Sequence, residues 1–268
     1  MPLTLQAALL GVVQGLTEFL PVSSSAHLIL ARMFFGFDGD RFGLSFDVAC
    51  HVGTLIAVVV YFRREMAEMV AALPRLFDGN DKNARLIWLL VAGTVPAVIV
   101  GVVFGKTIEE HLRTPAVAAA WLAIGGLGLI AAERMGSKTR SDQSLTIGDA
   151  LLIGCAQALA LVPGVSRSGA TITMALFLGL RRPEAARFIF LLAVPAILGA
   201  GAKEGVSLLK TGLPGDLAQL FVIGIVSSAI VGYLTVKYFI RYLGNHSLDA
   251  FAWYRLALAG AVAVWLLR

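Results

Sequence analysis

Leu20 to His27 reads LPVSSSAH, and Val162 to Gly169 reads VPGVSRSG. Each stretch breaks an apolar run with proline, serine or glycine, and each sits inside a longer segment that recurs. Sliding Ala7 to Gly36 by 143 positions onto Ala150 to Gly179 needs no gap. It matches Ala7 with Ala150, Leu9 with Leu152, Gly11 with Gly154, Gln14 with Gln157, Leu16 with Leu159 and Val22 with Val165. It also matches Ser23 with Ser166, Ser25 with Ser168, Ile29 with Ile172, Phe34 with Phe177 and Gly36 with Gly179. Polar backbone and hydroxyls therefore interrupt greasy helix twice, at equivalent places. In a membrane protein this pattern points to a binding site where two broken helices meet.

Composition places the chain in a membrane. Of 268 residues, 58% are hydrophobic and 15% charged, the mean hydropathy is +0.82, and several runs approach the ~20 apolar residues that cross a bilayer. Basic residues exceed acidic ones by five, but they lie in short loops between apolar runs, where they report orientation and not nucleic-acid binding. Cys50 and Cys155 have no ligand spacing and read as small buried hydrophobes. The opening MPLTLQAALLGVVQG lacks a basic n-region and a small-residue cleavage site, so it is expected to belong to the folded protein.

Six full spans are expected, at Phe46 to Phe62, Leu86 to Gly105, Pro115 to Ala132, Phe188 to Ala202, Leu217 to Ile240 and Phe251 to Leu267. The broken segments, Leu3 to Gly36 and Ile147 to Leu180, each hold two pieces too short to cross singly and read as re-entrant hairpins. The alternative is that each crosses fully as a kinked helix. With hairpins, one set of connections holds 13 Lys and Arg, including Arg63, Arg64, Arg181 and Arg182, and the other holds 7; the richer set is expected in the cytoplasm. The fold class that follows is an all-α polytopic membrane protein forming one domain over residues 1–268. Two repeats of inverted topology, about 1–133 and 147–268, each comprise a hairpin and three spans. Small-residue pairs such as Gly11/Gly15 and Gly101/Gly105 are expected to allow close helix packing.

Chemistry concentrates at the breaks. Gln14 and Glu18 share a helical face, and Ser23, Ser24, Ser25 and His27 follow within nine residues of Glu18. A carboxylate at apolar depth is costly and marks function unless it serves packing or capping. In the second copy, Gly164, Ser166, Arg167, Ser168 and Thr171 combine close backbone approach, a helix N-terminus and a forked cation, the parts of a phosphate cradle. Arg167 also suits a partnership with Glu18 across the repeat interface. Arg255, and Asp47 with His51 four residues on, are the other charges at apolar depth; they read either as interfacial pairs and snorkelling anchors or as part of the site.

The blocks GLTEFLPVSSSAH, SFDVACHVGTLIAV, PGVSRSGAT and WYRLALA, in this order over essentially the whole chain, resemble the bacitracin-resistance type of undecaprenyl-diphosphatase. The resemblance implies an enzyme of the bacterial cytoplasmic (inner) membrane that hydrolyses undecaprenyl diphosphate to the monophosphate and inorganic phosphate. Bacitracin would then compete for its substrate. In that family the site is formed by a (Glu/Gln)xxxGlu block, here Gln14 to Glu18, and a PGxSRSxxT block, here Pro163 to Thr171. The roles expected are Ser24 as nucleophile, His27 as acid or base, Glu18 as the group orienting His27 or ligating a divalent cation (Mg2+ or Ca2+), and Arg167 as phosphate clamp. An exchange of roles, with His27 attacking, stays open. Gln14, Ser23, Ser25, Gly164, Ser166, Ser168 and Thr171 are the expected phosphate-contacting groups. Gln14 stands where many relatives carry Glu, so a cation site would have one carboxylate fewer. The site is expected to open to the outer face, and a lipid-carrier translocase is the competing function.

Overall fold

The computed structural model describes residues 1–39, 41–211 and 215–267. Helices α1 (Leu3–Thr17) and α2 (Ser24–Phe35) form the first broken segment; α3 (Leu44–Tyr61), α4 (Arg63–Ala72), α5 (Lys82–Leu112) and α6 (Pro115–Met135) follow. Then α7 (Ile147–Leu159) and α8 (Arg167–Phe177) form the second broken segment, ahead of α9 (Arg182–Thr211), α10 (Gly215–Leu243) and α11 (Asp249–Leu266). No β-sheet occurs among the described residues.

Six helices, α3, α5, α6, α9, α10 and α11, are long and apolar enough to cross a bilayer, and they are the six expected from the sequence. Two run further than the apolar periodicity shows. Asp81 starts α5 early by accepting from the Asn83 and Ala84 N–H groups, and α9 begins at Arg182. Thr114 caps α6 with Pro115 at its first position, where a missing N–H costs nothing. Along α5, Val102 is 81% and Val103 63% exposed, which is the surface that hydrocarbon solvates in a multi-pass protein. Helix α4 was not expected; its first turn holds Arg63 and Arg64.

The broken segments return to where they start. At ~1.5 Å per residue, the 15 residues of α1 and 13 of α7 reach only about 20 Å, short of a ~30 Å hydrocarbon core. Around the second segment, the Thr139 and Arg140 N–H groups donate to the Gly179 carbonyl at 2.9 and 2.8 Å, and Arg181 N–H donates to the Arg140 carbonyl at 2.9 Å. Entry and exit are thus hydrogen-bonded to each other, and the second segment is a hairpin. In the first, Leu3 near the start of α1 and Phe37 just beyond α2 join one apolar cluster with Leu28 and Phe46.

Each hairpin leans on a helix of the other half. α1 packs along α10, and α7 along α5; α3 meets α9, and α6 meets α11. Gly11 and Gly15 make the first contact close, since a Cβ at Gly15 would lie 2.8 Å from Gly232 N. Gly105 has open space beside it, so the second small-residue pair does not serve such packing. The main core centres on Phe19, Ile153, Leu176 and Phe190, with Phe19 edge-on to Phe190 at 5.3 Å. Two polar ends close the bundle. At one, Asp47 pairs with Arg32 and, at 2.8 Å, with Arg113, and Ser45 donates to Glu204 of α9. At the other, Arg182 grips both oxygens of Glu133 at 2.7 and 2.5 Å, and the Leu248 N–H joins them. Arg182 is therefore a tie between helices as well as a loop charge.

Candidate active site

The two hairpin tips are built alike. Ser23 and Ser166 take φ of 75° and 70°, a left-handed conformation unfavourable to a residue with a side chain. Each is held there as the N-cap of the helix that follows, accepting from the N–H three residues on, Ala26 at 3.5 Å and Gly169 at 3.0 Å. Each hydroxyl also lies 3.2 Å from that of the serine two residues later. Consequently α2 and α8 both begin at the centre of the molecule and aim their positive ends there.

Between the tips lies Glu18, 6% exposed. Its Oε2 accepts from Ser24 Oγ at 2.7 Å and Gln14 Nε2 at 2.8 Å, and lies 3.3 Å from His51 Nε2. Its Oε1 pairs with Arg167. The first hairpin, the second hairpin and α3 thus converge on one carboxylate. Beside it is a small cavity lined by Phe19, Ser168, Thr171, Ile189, Phe190 and Ala193. His27 is held apart from this group: Nδ1 donates to the Ser23 carbonyl at 2.8 Å, and Nε2 accepts from the Tyr254 hydroxyl at 2.7 Å, with the rings stacked.

Arg255 binds the tips together. It is fully buried and donates to the carbonyls of Pro21 at the first tip and of Gly164 and Val165 at the second, at 3.0–3.2 Å. The Trp121 and Leu122 carbonyls of α6 take its remaining bonds. It is neither an interfacial ion pair nor a snorkelling anchor. A Cβ at Gly125 or Gly169 would fall 1.9 or 2.5 Å from its guanidinium nitrogens, so these glycines form its slot.

Comparison with known proteins identifies a family. The family of "Bacitracin resistance protein BacA" matches residues 7–261. The chain belongs to that family. It is 51% identical over 267 residues to the undecaprenyl-diphosphatase of Rubrobacter xylanophilus, covering 98% of both chains. It is 48% identical to that of Geobacter sulfurreducens and 46% identical to that of Moorella thermoacetica, again over 98% of each chain.

Within this member of the BacA family, the residues singled out in the sequence divide into two groups. Glu18, Ser24, Arg167 and Gln14 meet directly. Ser23, Ser25, Ser166, Ser168, Thr171 and Gly164 form the scaffold: Ser168 donates to the Leu20 carbonyl at 2.9 Å, Ser25 Oγ lies 3.5 Å from Gly164 N, and Thr171 donates to the Arg167 carbonyl at 2.7 Å. Gly164, at φ 94°, presses on α6, where a Cβ would lie 2.3 Å from the Ala118 carbonyl oxygen. His51 and Tyr254 complete the contacts, and each lies in a block quoted above, SFDVACH and WYRLALA. Their spacing gave no sign that His51 would face Glu18 instead of Asp47.

A divalent cation needs several oxygen ligands at once. Among the described residues no three His, Cys, Asp or Glu side chains gather as ligands. Both oxygens of Glu18 already accept from cations and amide or hydroxyl donors, leaving Gln14 Oε1 as a buried oxygen without a partner. Glu18 and Gln14 Oε1 are the oxygens that would hold a divalent cation, with substrate oxygens as further ligands; no step below passes through one.

Proposed function

We propose that this chain hydrolyses undecaprenyl diphosphate to undecaprenyl phosphate and inorganic phosphate in the bacterial cytoplasmic membrane, renewing a lipid carrier used for wall polymers. The relatives' names and full-length matches support this reading. The observation that carries it is the 2.7 Å bond from Ser24 Oγ to Glu18, with Arg167 on the other oxygen of the same carboxylate. A hydroxyl with an adjacent base and a forked cation within reach is the minimum for phosphoryl transfer to a side chain.

In this reaction the diphosphate enters between the tips and draws Arg167 onto its oxygens, where the start of α8 adds unpaired N–H groups. Glu18, relieved of Arg167, takes the proton of Ser24 as Oγ attacks the terminal phosphorus. The P–O anhydride bond breaks, and undecaprenyl phosphate leaves with the bond's electron pair. The proton on Glu18 passes to the departing undecaprenyl phosphate. Water then attacks the phosphoserine, giving a proton to Glu18, which returns it to Ser24 Oγ as the P–O bond breaks, so that Ser24 is regenerated and inorganic phosphate released. His27, whose ring nitrogens are engaged by Ser23 and Tyr254, shapes the mouth of the site in this scheme. Hydrolysis also removes the diphosphate that bacitracin would bind.

The two halves are inverted repeats in this reading. Its support is the exchange of partners, α1 on α10 and α7 on α5, the matched caps at Ser23 and Ser166, and the courses of α3 and α9. α3 starts at the polar end where Glu204, late in α9, meets Ser45. Converging broken helices also suit translocation of the lipid, but a translocase has no use for a hydroxyl held on a carboxylate. Phosphate release from a polyprenyl diphosphate by purified protein in detergent separates the two, because detergent removes sidedness. Activity in the wild type and its loss by ~100-fold or more in Ser24→Ala are expected, whereas a fully active Ser24→Ala excludes Ser24 as nucleophile.

A further inference from the structure

His51 is the one member of the Glu18 cluster that comes from a full span, and nothing in the reaction above uses it. Its place is fixed from behind. Nδ1 donates to the Asp47 carbonyl one turn back at 2.8 Å, and the Asp47 carboxylate is itself braced by Arg32 and Arg113. Nε2 then faces Glu18 Oε2 at 3.3 Å. Because a carbonyl and a carboxylate only accept, the ring bears an N–H on both sides when both contacts are made.

The other partners of Glu18 cannot keep it in place during turnover. Arg167 is wanted by the diphosphate, and Ser24 must leave the carboxylate to attack. Gln14 lies one turn earlier on the same hairpin, so it moves with Glu18 and fixes nothing relative to the bundle. We propose that His51 is a positioning residue: through its Nε2–H it holds the Glu18 carboxylate toward Ser24 while Arg167 engages the substrate. The inference rests on the reading of Glu18 as the base for Ser24. It also accounts for how a site with Gln14 in place of a second acid keeps its single carboxylate aimed.

The test compares full-length His51→Gln, His51→Asn and His51→Leu with the wild type in detergent, measuring kcat and KM for a polyprenyl diphosphate and the thermal midpoint of each protein. A glutamine amide nitrogen reaches about as far as Nε2, an asparagine nitrogen only as far as Nδ1, and leucine has no donor. His51→Gln is expected within about fivefold of the wild-type kcat. His51→Asn and His51→Leu are expected to lose ~10- to 100-fold in kcat, the scale of a small misplacement of a reacting group, with KM within about threefold. A wild type that releases no phosphate defeats the hydrolase reading itself. With an active wild type, an equally active His51→Leu overturns the positioning role, as does a His51→Gln as impaired as His51→Leu at an unchanged midpoint. If His51→Leu proves unstable, the Gln and Asn variants decide, and equal kcat in those two overturns it.

Discussion

Glu18 offers one oxygen to Arg167 and the other to Ser24, so in the proposed reaction the clamp and the nucleophile both depend on one buried group. Such a carboxylate stays charged at apolar depth only because cations and donors surround it; removing one partner of a buried pair costs about 3–5 kcal/mol. In the proposed reaction the guanidinium has a second task that an ammonium cannot do, since its fork can span two oxygens of a phosphoryl group in a fixed plane. Arg167→Lys is therefore expected to retain the fold, judged by its thermal midpoint, and to lose roughly 100-fold in kcat. Turnover near the wild-type rate in that variant would show that Arg167 serves only to pair with Glu18. The carboxylate and the arginine were legible from the sequence because charge in an apolar run is conspicuous. The partner of Ser24 was not. Sequence proximity favoured His27, three residues on, but a helical histidine turns back to its own i−4 carbonyl, as His27 does to Ser23 and His51 does to Asp47. Which acid or hydroxyl the outer ring nitrogen then meets is decided by tertiary packing.

At the scale of elements, the hairpins depend on Arg255. Tips at membrane depth expose carbonyls that a continuous helix would satisfy, and each left unpaired costs about 1–3 kcal/mol. Pro21, Gly164 and Val165 hand theirs to Arg255, which α11 delivers through the slot at Gly125 and Gly169. Arg255→Met is accordingly expected to lower the thermal midpoint in detergent and to abolish phosphate release. Arg255→Lys, which can reach fewer carbonyls, is expected to fall in between. An Arg255→Met protein with wild-type midpoint and activity would mean that the tips hold without it. The hairpins themselves were readable, because the proline and serine breaks recur at a fixed offset and the pieces between them are too short to cross. The role of Arg255 was not, since an arginine within a span gives no local sign of five distant carbonyls. Helix α4 escaped for a related reason: a charged, interfacial helix lacks the long apolar run that marks a span.

For the whole molecule, the depth of Glu18 bears on which side of the membrane the chemistry faces. His51 is seven residues from the start of α3 at Leu44 and ten from its end at Tyr61, or about 10 and 15 Å along the axis. The contact with Glu18 thus lies nearer the polar end formed by Arg32, Asp47 and Arg113. That end carries connections from the set with 7 Lys and Arg, against 13 for the set that includes Arg134, Arg140, Arg181 and Arg182. Positive charge accumulates on the cytoplasmic side, so in the proposed topology the hub is expected closer to the outer face, with the first hairpin entering from there and carrying Glu18, Ser24 and His27. Hydrolysis is expected to open outward. This fits a carrier left as diphosphate once its cargo has been transferred outside, and it assigns return of the monophosphate to a separate step. Sealed vesicles of known protein orientation, with substrate confined to one leaflet, provide the measurement. Phosphate should appear in the compartment facing the Arg32–Asp47–Arg113 end, at a rate unaffected by an impermeant phosphatase-product trap on the opposite side. Release confined to the compartment facing Arg140 and Arg182 would reverse the assignment of sides while leaving the Ser24–Glu18 chemistry intact, since that chemistry is measured separately in detergent.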